Sequence, residues 1–392
     1  MLMWVARQPT APGPLDGLRV AVKELVAIEG HELSANTPVP LPDRWKHPAA
    51  DAAIVTRLRE NGAAIVGTTT THEFAWGITT YDRGRTVENP VQLGRIAGGS
   101  SGGSAEAVAL GEADLGIGTD TAGSVRIPAA WCHLLGWKFT DGLVPMDGIL
   151  PLAPGLDHPG LLASDPEVLM RAGAALGAGS AREQPQVLTL PSERLVNCDS
   201  RAVAGVEQTA EVLVRDHGFE RQEAPNFPGI DELLSCFTVV QGAATLRSHS
   251  ELIGTWPERR ALYPDYIVNR LDEAEARSEA EVAEGQRLRA TLRMRLLDIT
   301  TDAVVVMPAT GCGPPSTLLP NQCEVDGVAT DLRSVVIPNT VPANIAGLPA
   351  VTVPFSSDGE EIGVQLLGGP GSDMTLLSMA RLLMDPGWTG SF

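Results

Sequence analysis

Short apolar runs alternate with amphipathic segments at both ends of the chain, whereas the middle is richer in charged residues. Apolar runs of about four to eight residues are typical of buried strands, and apolar residues three or four positions apart indicate a helix with one buried face. Strands that alternate with helices favour a layered arrangement of the two. The pattern therefore predicts an α/β fold in which helices cover a largely buried sheet.

The periodicity also places individual elements. The predicted strands cover residues 18–22, 63–66, 114–118, 303–307, 350–355 and 362–367. The predicted helices cover 51–61, 104–110, 200–215 and 372–384, and the charged run over 272–298 is typical of a solvated helical face. Asp51 is expected to cap the first helix, and Gly62 to end it. No internal repeat or linker is evident, so we expect one domain over residues 1–392.

The net charge of the chain limits the classes of partner that it can bind. The formal net charge is −19, which disfavours nucleic acid and anionic membranes because phosphate groups demand a basic patch. No run of 18 apolar residues suits a membrane span, and the first residues lack a secretory pattern. The five cysteines show neither a CxxC spacing nor a zinc-like pairing with histidine. These features predict buried thiols in a reducing cytoplasm, with no metal ion and no cofactor.

Two turns rich in glycine and serine carry the candidate chemistry. GGSSGG begins at Gly98, and a second small-residue turn ends at Ser124, 24 residues after Ser100. Such turns can be purely structural, because glycine allows positive φ and close packing and serine caps helices. Phosphate binding fits poorly, because no GxxxxGK[ST] motif occurs and Thr121 stands where a dinucleotide fingerprint needs its third glycine.

A serine hydrolase is the third interpretation, and its first form is a nucleophile elbow. The pattern GxSxG occurs at residues 98–102 and 99–103, and an elbow serine needs a downstream acid and histidine. The candidate histidines are His133, His158, His217 and His249. An elbow follows a hydrophobic strand, however, and ENPVQLGRIA precedes this one. That context argues against a histidine-dependent esterase.

The second form uses two serines and a lysine. Lys23 ends the apolar run VAVK, which would carry its amine into a dry site. Burial disfavours the charged form, so such a lysine can be neutral near pH 7 and act as a base. On Lys23 alone, a side chain that leaves the strand for solvent remains the alternative.

Together these segments resemble the amidase signature family of amide hydrolases. The resemblance rests on GGSSGGSAEAVALG (98–111), GTDTAGSVRIPAAWC (118–132), VKE around Lys23, NP (89–90), LPLAPGLDHPGLLA (150–163), NTVPANIAGLPAVTVP (339–354) and IGVQLLG (362–368). It implies a central mixed twisted β-sheet covered by α-helices on both faces. It also implies a catalytic core over about 15–170 and 300–392, and a variable helical region on the substrate side over about 180–300.

The resemblance implies a Ser-cisSer-Lys triad. Ser124 matches the family's nucleophile, Ser100 the bridging serine and Lys23 the base. The peptide bond between Gly99 and Ser100 is cis in this pattern. Lys23 would accept a proton from Ser100, which would accept the proton of Ser124 as it attacks an amide carbonyl.

The second turn would then stabilise the transition state. By the same resemblance, the backbone N–H groups of Thr121, Ala122 and Gly123, with that of Ser124, are expected to bind the developing oxyanion. Asp120 and Arg126 flank this turn, match residues that pair in relatives, and are expected to brace it.

The implied activity is hydrolysis of a small to medium carboxamide to a carboxylic acid plus ammonia or an amine, through an acyl-enzyme on Ser124. The partner is a small-molecule amide, and a homodimer is left open. An acyl transferase or amide synthase that uses the same acyl-enzyme is the alternative, beside the esterase. An ammonia-supplying role in a glutamyl-tRNA amidotransferase is disfavoured, because the glutamine common after Arg126 is missing.

Some positions depart from the family pattern. They are Glu24 for aspartate, Ala122 and His133 for glycine, and Phe139 for proline. These changes spare the triad but are expected to reshape the acyl pocket, and Ala122 fits only if its φ is negative. Trp76 and Tyr81 lie in THEFAWGITTYD, which approaches the pocket in relatives, so each is either a pocket contact or a core residue.

Overall fold

The computed structural model describes residues 2–82, 85–182, 184–254, 258 and 260–384. Its strands are β1 (Leu2–Arg7), β2 (Arg19–Lys23), β3 (Ala64–Thr69), β4 (Tyr81–Asp82), β5 (Arg85–Thr86), β6 (Leu115–Asp120), β7 (Leu135–Lys138), β8 (His158–Ala163), β9 (Gln186–Thr189), β10 (Arg221–Glu223), β11 (Ala303–Pro308), β12 (Gln322–Val325), β13 (Val328–Asp331), β14 (Ala350–Val353), β15 (Ser356–Ser357), β16 (Glu360–Glu361) and β17 (Val364–Gly368).

The helices alternate with these strands at both ends of the chain. They are α1 (Asp43–Lys46), α2 (Ala53–Glu60), α3 (Gly102–Ala109), α4 (Arg126–Trp131), α5 (Pro166–Leu176), α6 (Ser200–His217), α7 (Ile230–Ile253), α8 (Asp265–Glu275), α9 (Glu279–Ile299), α10 (Leu332–Ala346) and α11 (Asp373–Leu383). Among the described residues, no helix combines the length and apolarity that a membrane crossing needs.

One large mixed sheet organises the described part of the chain. Its strand order is β1-β3-β2-β6-β8-β7-β14-β17-β11-β9-β10, and helices flank it. The strands β3, β2 and β6 run parallel, as do β11, β9 and β10, while the strands between these groups pair antiparallel. The predicted α/β fold with a mixed sheet covered by helices is confirmed.

The parallel pairing of β2 and β6 positions the site. Val22 lies opposite Ile117, so that Lys23 and Asp120 end neighbouring strands at the same edge of the sheet. Polar groups at the carboxyl ends of parallel strands commonly line a ligand crevice, because the chain turns away there into loops and helices. The second serine-rich turn follows β6 directly and leads into α4, whereas the first follows an irregular segment and leads into α3.

One local prediction was wrong, and one charged segment is divided between two helices. Asp51 does not cap α2, whose N-cap is Ala52; its carboxylate instead accepts the backbone N–H of Glu29 at 2.8 Å and pairs with Arg59. These contacts draw the carboxylate away from the first turn. The charged run over 272–298 is broken in two, because Ser278 forms a capping box that starts α9. Both outcomes depend on side-chain partners that periodicity does not reveal.

The thiols follow the sequence prediction. All five cysteines are free and buried: Cys132, Cys198, Cys236, Cys312 and Cys323. Burial raises the pKa of Cys132 above its ordinary value and that of Cys236 to about 11, so these thiols stay protonated at neutral pH. In the described ranges, no group of three or more histidine, cysteine or acidic side chains is arranged to hold a metal ion.

Candidate active site

Lys23 is fully buried at the carboxyl end of β2, and its amine lies among three hydroxyl groups. Nζ lies 2.7 Å from Ser100 Oγ, 2.9 Å from Ser101 Oγ and 2.9 Å from Thr119 Oγ1. The residue is 0% exposed. Strand β2 ends at the lysine, and the glycine-rich turn brings Ser100 and Ser101 against its amine. The described contacts of Nζ therefore go to neutral oxygen atoms.

This environment controls the charge of the amine. Burial lowers the pKa of Lys23 to about 7, and the more distant carboxylates of Asp120, Asp157 and Glu24 offset only part of that effect. A neutral amine has two N–H donors and one lone pair. Three hydroxyl neighbours can satisfy such a group completely, with two accepting from Nζ and the third donating to it. Lys23 is therefore an amine poised to exchange a proton near neutral pH.

The peptide bond between Gly99 and Ser100 is cis. The carbonyl of Ser100 accepts the hydroxyl of Thr71 at 2.9 Å and the backbone N–H of His72 at 3.2 Å. The Ser101 N–H donates to the carbonyl of Ser124 at 3.1 Å, which ties the two serine turns together. The loop over residues 98–101 is thus bonded on both sides, and the predicted cis bond is present.

Ser124 is the second serine of the site and is nearly buried, at 4% exposure. Its backbone carbonyl accepts the Ser101 N–H. Among the hydrogen bonds of the described residues, none involves the Ser124 hydroxyl. The two serine turns are therefore held together through their backbone, and the Ser124 hydroxyl has no hydrogen-bond partner among the described residues.

The second turn has a backbone shape that requires glycine at one position. Gly123 has a φ of +101°, and a Cβ atom there would lie 2.5 Å from Cγ2 of Thr340. The positive φ falls on Gly123 and not on Ala122, which explains why a side chain is tolerated at 122. The Thr340 hydroxyl donates to the carbonyl of Ala122 at 2.8 Å. Helix α10 therefore holds this turn from the other side.

One expected oxyanion donor is already engaged. The N–H of Gly123 donates to Oδ1 of Asp120 at 2.8 Å, so the prediction that this group serves the oxyanion needs correction. The N–H groups of Thr121, Ala122 and Ser124 have no protein acceptor among the described residues. The physical reason is the short return of the chain, which places the Asp120 carboxylate under the turn that it begins.

Asp120 and Arg126 form a fully buried ion pair with two contacts. Arg126 Nη2 lies 2.8 Å from Oδ1 of Asp120, and Nε lies 3.0 Å from Oδ2. Arg126 also donates to the Thr340 carbonyl and to Gln365, and Asn344 donates to Asp120. Burial by itself would raise the pKa of Asp120, but the Arg126 charge and these hydrogen bonds outweigh it and hold the pKa well below its usual range.

Replacing Arg126 with alanine is expected to lower the free energy of unfolding by about 3–5 kcal/mol, because the buried Asp120 carboxylate loses its counterion. Urea denaturation followed by circular dichroism measures the change. The control is Arg287→Ala, which breaks a solvent-exposed pair with Glu284 and should change stability by less than about 1 kcal/mol. Equal stability of the two variants would contradict the bracing role of Arg126.

Several contacts of the site were not predicted from the sequence. Thr119 and Ser101 contact Lys23, and the Thr121 hydroxyl donates to Oδ1 of Asp157 at 2.6 Å. Burial raises the pKa of Asp157, although hydrogen bonds from Thr121 and from the backbone oppose this. His72 lies beside Ser100, and burial with nearby positive charge lowers its pKa to about 3. The hydroxyls sit inside motifs already singled out, but His72 lies in a loop without a signal of its own.

The histidines proposed for an elbow have partners other than the serines. His158 is bonded to a backbone carbonyl at 2.7 Å, His133 Nδ1 lies 2.8 Å from Glu361, His249 Nδ1 lies 2.8 Å from the Tyr263 hydroxyl, and His217 ends α6. In the part of the chain that the structure describes, no histidine side chain is hydrogen-bonded to a serine of the two turns. The esterase alternative therefore lacks its base.

The structure also places the other residues that depart from the family pattern and the aromatic residue Trp76. Glu24 accepts the backbone N–H of Thr71 at 2.9 Å and so supports the loop that holds Ser100. His133 has a side chain that is 50% exposed beside Glu361, and Phe139 is buried against Trp137 with 4.3 Å between ring centroids. Trp76 is 4% exposed and belongs to the core cluster. The side chain of Tyr81 lies outside the described residues.

The family model described as Amidase matches residues 5–377. The chain belongs to the Amidase family. AtzE of the 1-carboxybiuret hydrolase of Pseudomonas sp. (strain ADP) is 32% identical, with 95% of this chain and 85% of that protein covered. A component of the glutamyl-tRNA(Gln) amidotransferase of Natronomonas pharaonis is 30% identical, with 96% and 97% covered. A crystal structure of an amidase matches with a TM-score of 0.84 and 29% identity over 95% of this chain and 85% of that one.

Membership of this family confirms the predicted resemblance and the predicted enzyme class. Both serine-rich turns and the strand-ending Lys23 lie within the matched residues. The amidase is an amide hydrolase in its general activity, as the family and its relatives indicate.

Proposed function

We propose that this amidase hydrolyses a small to medium carboxamide to a carboxylic acid plus ammonia or an amine, through an acyl-enzyme on Ser124. The observation that carries the proposal is the 2.7 Å contact between Nζ of the fully buried Lys23 and Oγ of Ser100. A serine hydroxyl is a weak nucleophile until a neighbouring base takes its proton. A buried amine with a pKa of about 7 is such a base.

The first step transfers two protons along one line. Neutral Lys23 accepts the proton of Ser100 while Ser100 accepts the proton of Ser124, whose oxygen attacks the amide carbonyl. The hydrogen bond between the two serines forms when substrate fills the site, because catalytic hydrogen bonds often tighten only in that complex. Ser100 then donates a proton to the departing nitrogen and regains one from protonated Lys23, so that the nitrogen leaves as a neutral amine and Lys23 is neutral again. Water attacks the acyl group by the same relay and restores Ser124.

The oxyanion is stabilised by the N–H groups of Thr121, Ala122 and Ser124. This part of the proposal is supported by the lack of competing acceptors for these three groups in the described residues. A single donor of this kind typically contributes about 3–4 kcal/mol to lowering the barrier. Gly123 contributes by its backbone conformation, since its own N–H is bonded to Asp120.

A cavity of about 450 Å³, connected to the second turn through the hydrogen bond between Asp157 and Thr121, has the size of a small to medium acyl group. Its walls include Trp45, Met146 and Ile149, and it reaches Asp157, which accepts the Thr121 hydroxyl. Among relatives, a mandelamide hydrolase of Pseudomonas putida is 29% identical over 95% of this chain. We propose that the acyl part of the substrate enters this cavity.

Ammonia release from a panel of carboxamides with acyl chains of different length tests the proposed function. Hydrolysis should proceed without added metal or cofactor and should give one acid per ammonia. Adding hydroxylamine separates hydrolysis from acyl transfer, because hydroxamate in large excess over acid would favour a transferase. Activity that survives Lys23→Ala but is lost in His158→Ala would favour the esterase.

The single-domain organisation over residues 1–392 and the cytoplasmic location stay predictions of the same proposal.

The pH dependence of kcat/KM follows from the protonation of Lys23. We expect kcat/KM to rise as the pH increases through about 7 and then to level off, because only the neutral form of Lys23 accepts a proton. Well below that pH, the rate should fall about tenfold per pH unit. Initial rates on a neutral amide at low concentration measure this profile. His72 does not produce it, since its pKa is about 3. A rate that falls as the pH rises through 7 would contradict the role of Lys23.

A further inference from the structure

A cavity of about 660 Å³ lies between the segment that follows β9 and the start of α7. Arg194 lines it, and its apolar lining includes Pro191, Val196, Phe227 and Ile230. Within the described residues, this lining shares no position with the two serine turns or with the cavity proposed for the acyl group. The volume lies in the usual range for small-molecule sites, about 300–1,000 Å³. The cavity is therefore a second space of a size to hold a small molecule.

Arg194 is buried in the wall of this cavity, and most of its N–H groups are unused. The residue is 3% exposed. Its Nη2 donates to the Pro338 carbonyl at 3.2 Å, which lacks the usual helical donor because Pro342 stands four residues later. Nε and Nη1 are buried and have no hydrogen-bond partner among the described residues. These two nitrogen atoms carry three of the five N–H groups of a guanidinium, so Arg194 is short of acceptors.

The charge of Arg194 also lacks a counterion in the part of the chain that the structure describes, where it takes part in no ion pair. Its guanidinium carbon lies 5.5 Å from the ring centroid of Phe227, a contact that favours the positive charge. Burial lowers the pKa of Arg194, but a guanidinium stays charged at neutral pH. A buried charge without a counterion is costly, and an anion beside it removes that cost.

The N-terminus of α7 lines the same cavity. Gly229, Ile230, Asp231 and Glu232 belong to the lining, and α7 is 24 residues long. Among the described residues, the N–H groups of Ile230 and Asp231 have no acceptor. Free N–H groups and the helix dipole at such an end favour anions. The helix end and Arg194 thus bring positive charge to one space from two separate segments.

Three carboxylates also line the cavity, but they do not neutralise Arg194. Glu232 accepts the N–H of Gly229 at 2.9 Å and pairs with Arg295 through both of its oxygen atoms. Glu193 and Asp231 are exposed, so solvent and salt screen their charge. The buried wall of the cavity is therefore positive, whereas its exposed rim is negative.

We propose that this cavity binds a small molecule that presents an oxyanion, a carboxylate or a phosphate, to Arg194 and to the start of α7. The apolar part of the ligand packs against Pro191, Phe227 and Ile230. Because protein covers Nε and Nη1, binding includes a turn of the Arg194 side chain toward the cavity. The site is separate from the one that hydrolyses the amide and does not depend on the proposed function.

Calorimetric titration of the native protein with hexanoate, hexyl phosphate and hexanol, in phosphate-free buffer of low ionic strength, tests this site. The three probes share one alkyl chain, so their head groups separate a carboxylate from a phosphate and both from a neutral ligand. We expect at least one anion to bind with one equivalent per chain, and hexanol to bind roughly tenfold more weakly or not at all. Arg194→Gln should weaken the binding of that anion roughly 10- to 100-fold, because a charge-assisted contact is lost.

The matched control is Arg287→Gln, which removes an exposed arginine of α9 and should leave the affinity unchanged. Lys23→Met should also bind the anion as tightly as the native protein, which separates this site from the catalytic one. If Arg194→Gln does not fold, Val196→Trp takes its place. Val196 is exposed and lines the cavity, so the larger side chain should narrow the space and weaken binding about tenfold.

Four results overturn the inference. They are the absence of anion binding, equal binding of hexanol, an affinity that the folded cavity variant does not lower, and binding that is lost in Lys23→Met. Each of them leaves amide hydrolysis at the serine turns untouched, because hydrolysis is measured separately by ammonia release.

Discussion

Ser124→Ala is expected to reduce kcat for amide hydrolysis by at least about 10⁴-fold, because the acyl-enzyme can no longer form. The loss should come without unfolding, since the turn is held by its backbone bond to Ser101 and by Thr340. Ammonia release measures the activity, and intact-mass analysis after treatment with a fluorophosphonate measures the nucleophile. The native protein should gain one adduct and the variant none.

The matched control for this substitution is Ser104→Ala. Ser104 belongs to the same glycine-rich segment and is buried, but its hydroxyl is bonded to the Ile117 carbonyl and to Thr69 and not to Lys23. Its loss should cost about 1 kcal/mol of stability and leave the adduct intact. An adduct or full hydrolysis in Ser124→Ala would show that another residue is the nucleophile.

Lys23→Met is expected to lower kcat/KM for amides by about 10²–10⁴-fold, the range typical for loss of a general base. The buried amine is replaced by an apolar side chain of similar length, so the free energy of unfolding should not fall sharply. The loss should be smaller for an activated ester, whose leaving group departs without a proton. Rates on an amide and an ester of the same acid, measured side by side, separate the activation of Ser124 from the protonation of the leaving group.

Lys138→Met provides the control for Lys23→Met. Lys138 is also fully buried, and burial likewise lowers its pKa to about 7, but its Nζ donates to the carbonyls of Phe139 and Leu348. It therefore shares the charge and burial of Lys23 without contacting the serines. We expect its effect on kcat/KM to stay below about tenfold. Equal loss of activity in both variants would mean that buried charge, and not the base at position 23, controls the rate.

The local features of this protein could be predicted because they depend on neighbouring residues. Each strand predicted from an apolar run matches an observed strand of the large sheet within a few residues, for example residues 303–307 against Ala303–Pro308, whereas helices such as α7 and α10 were not predicted. The edge strand β1 was missed although Leu2–Arg7 is almost wholly apolar, because most of these side chains are not buried and the strand is defined by its pairing with β3. The cap at Asp51 failed for a related reason, since Arg59 and the Glu29 N–H compete for its carboxylate.

The chain's sequence alone determined which residues are candidates for chemistry. The two serine turns and the strand-ending Lys23 are short motifs, and their residue types are readable without a structure. Tertiary structure decided what each group can do. Ser100 and Thr119 reach the amine of Lys23 from 77 and 96 residues away, and their closeness together with burial sets its pKa. In the same way, only folding assigns the Gly123 N–H to Asp120. Charge and proton affinity depend on the whole surroundings of a group, which spacing along a chain does not record.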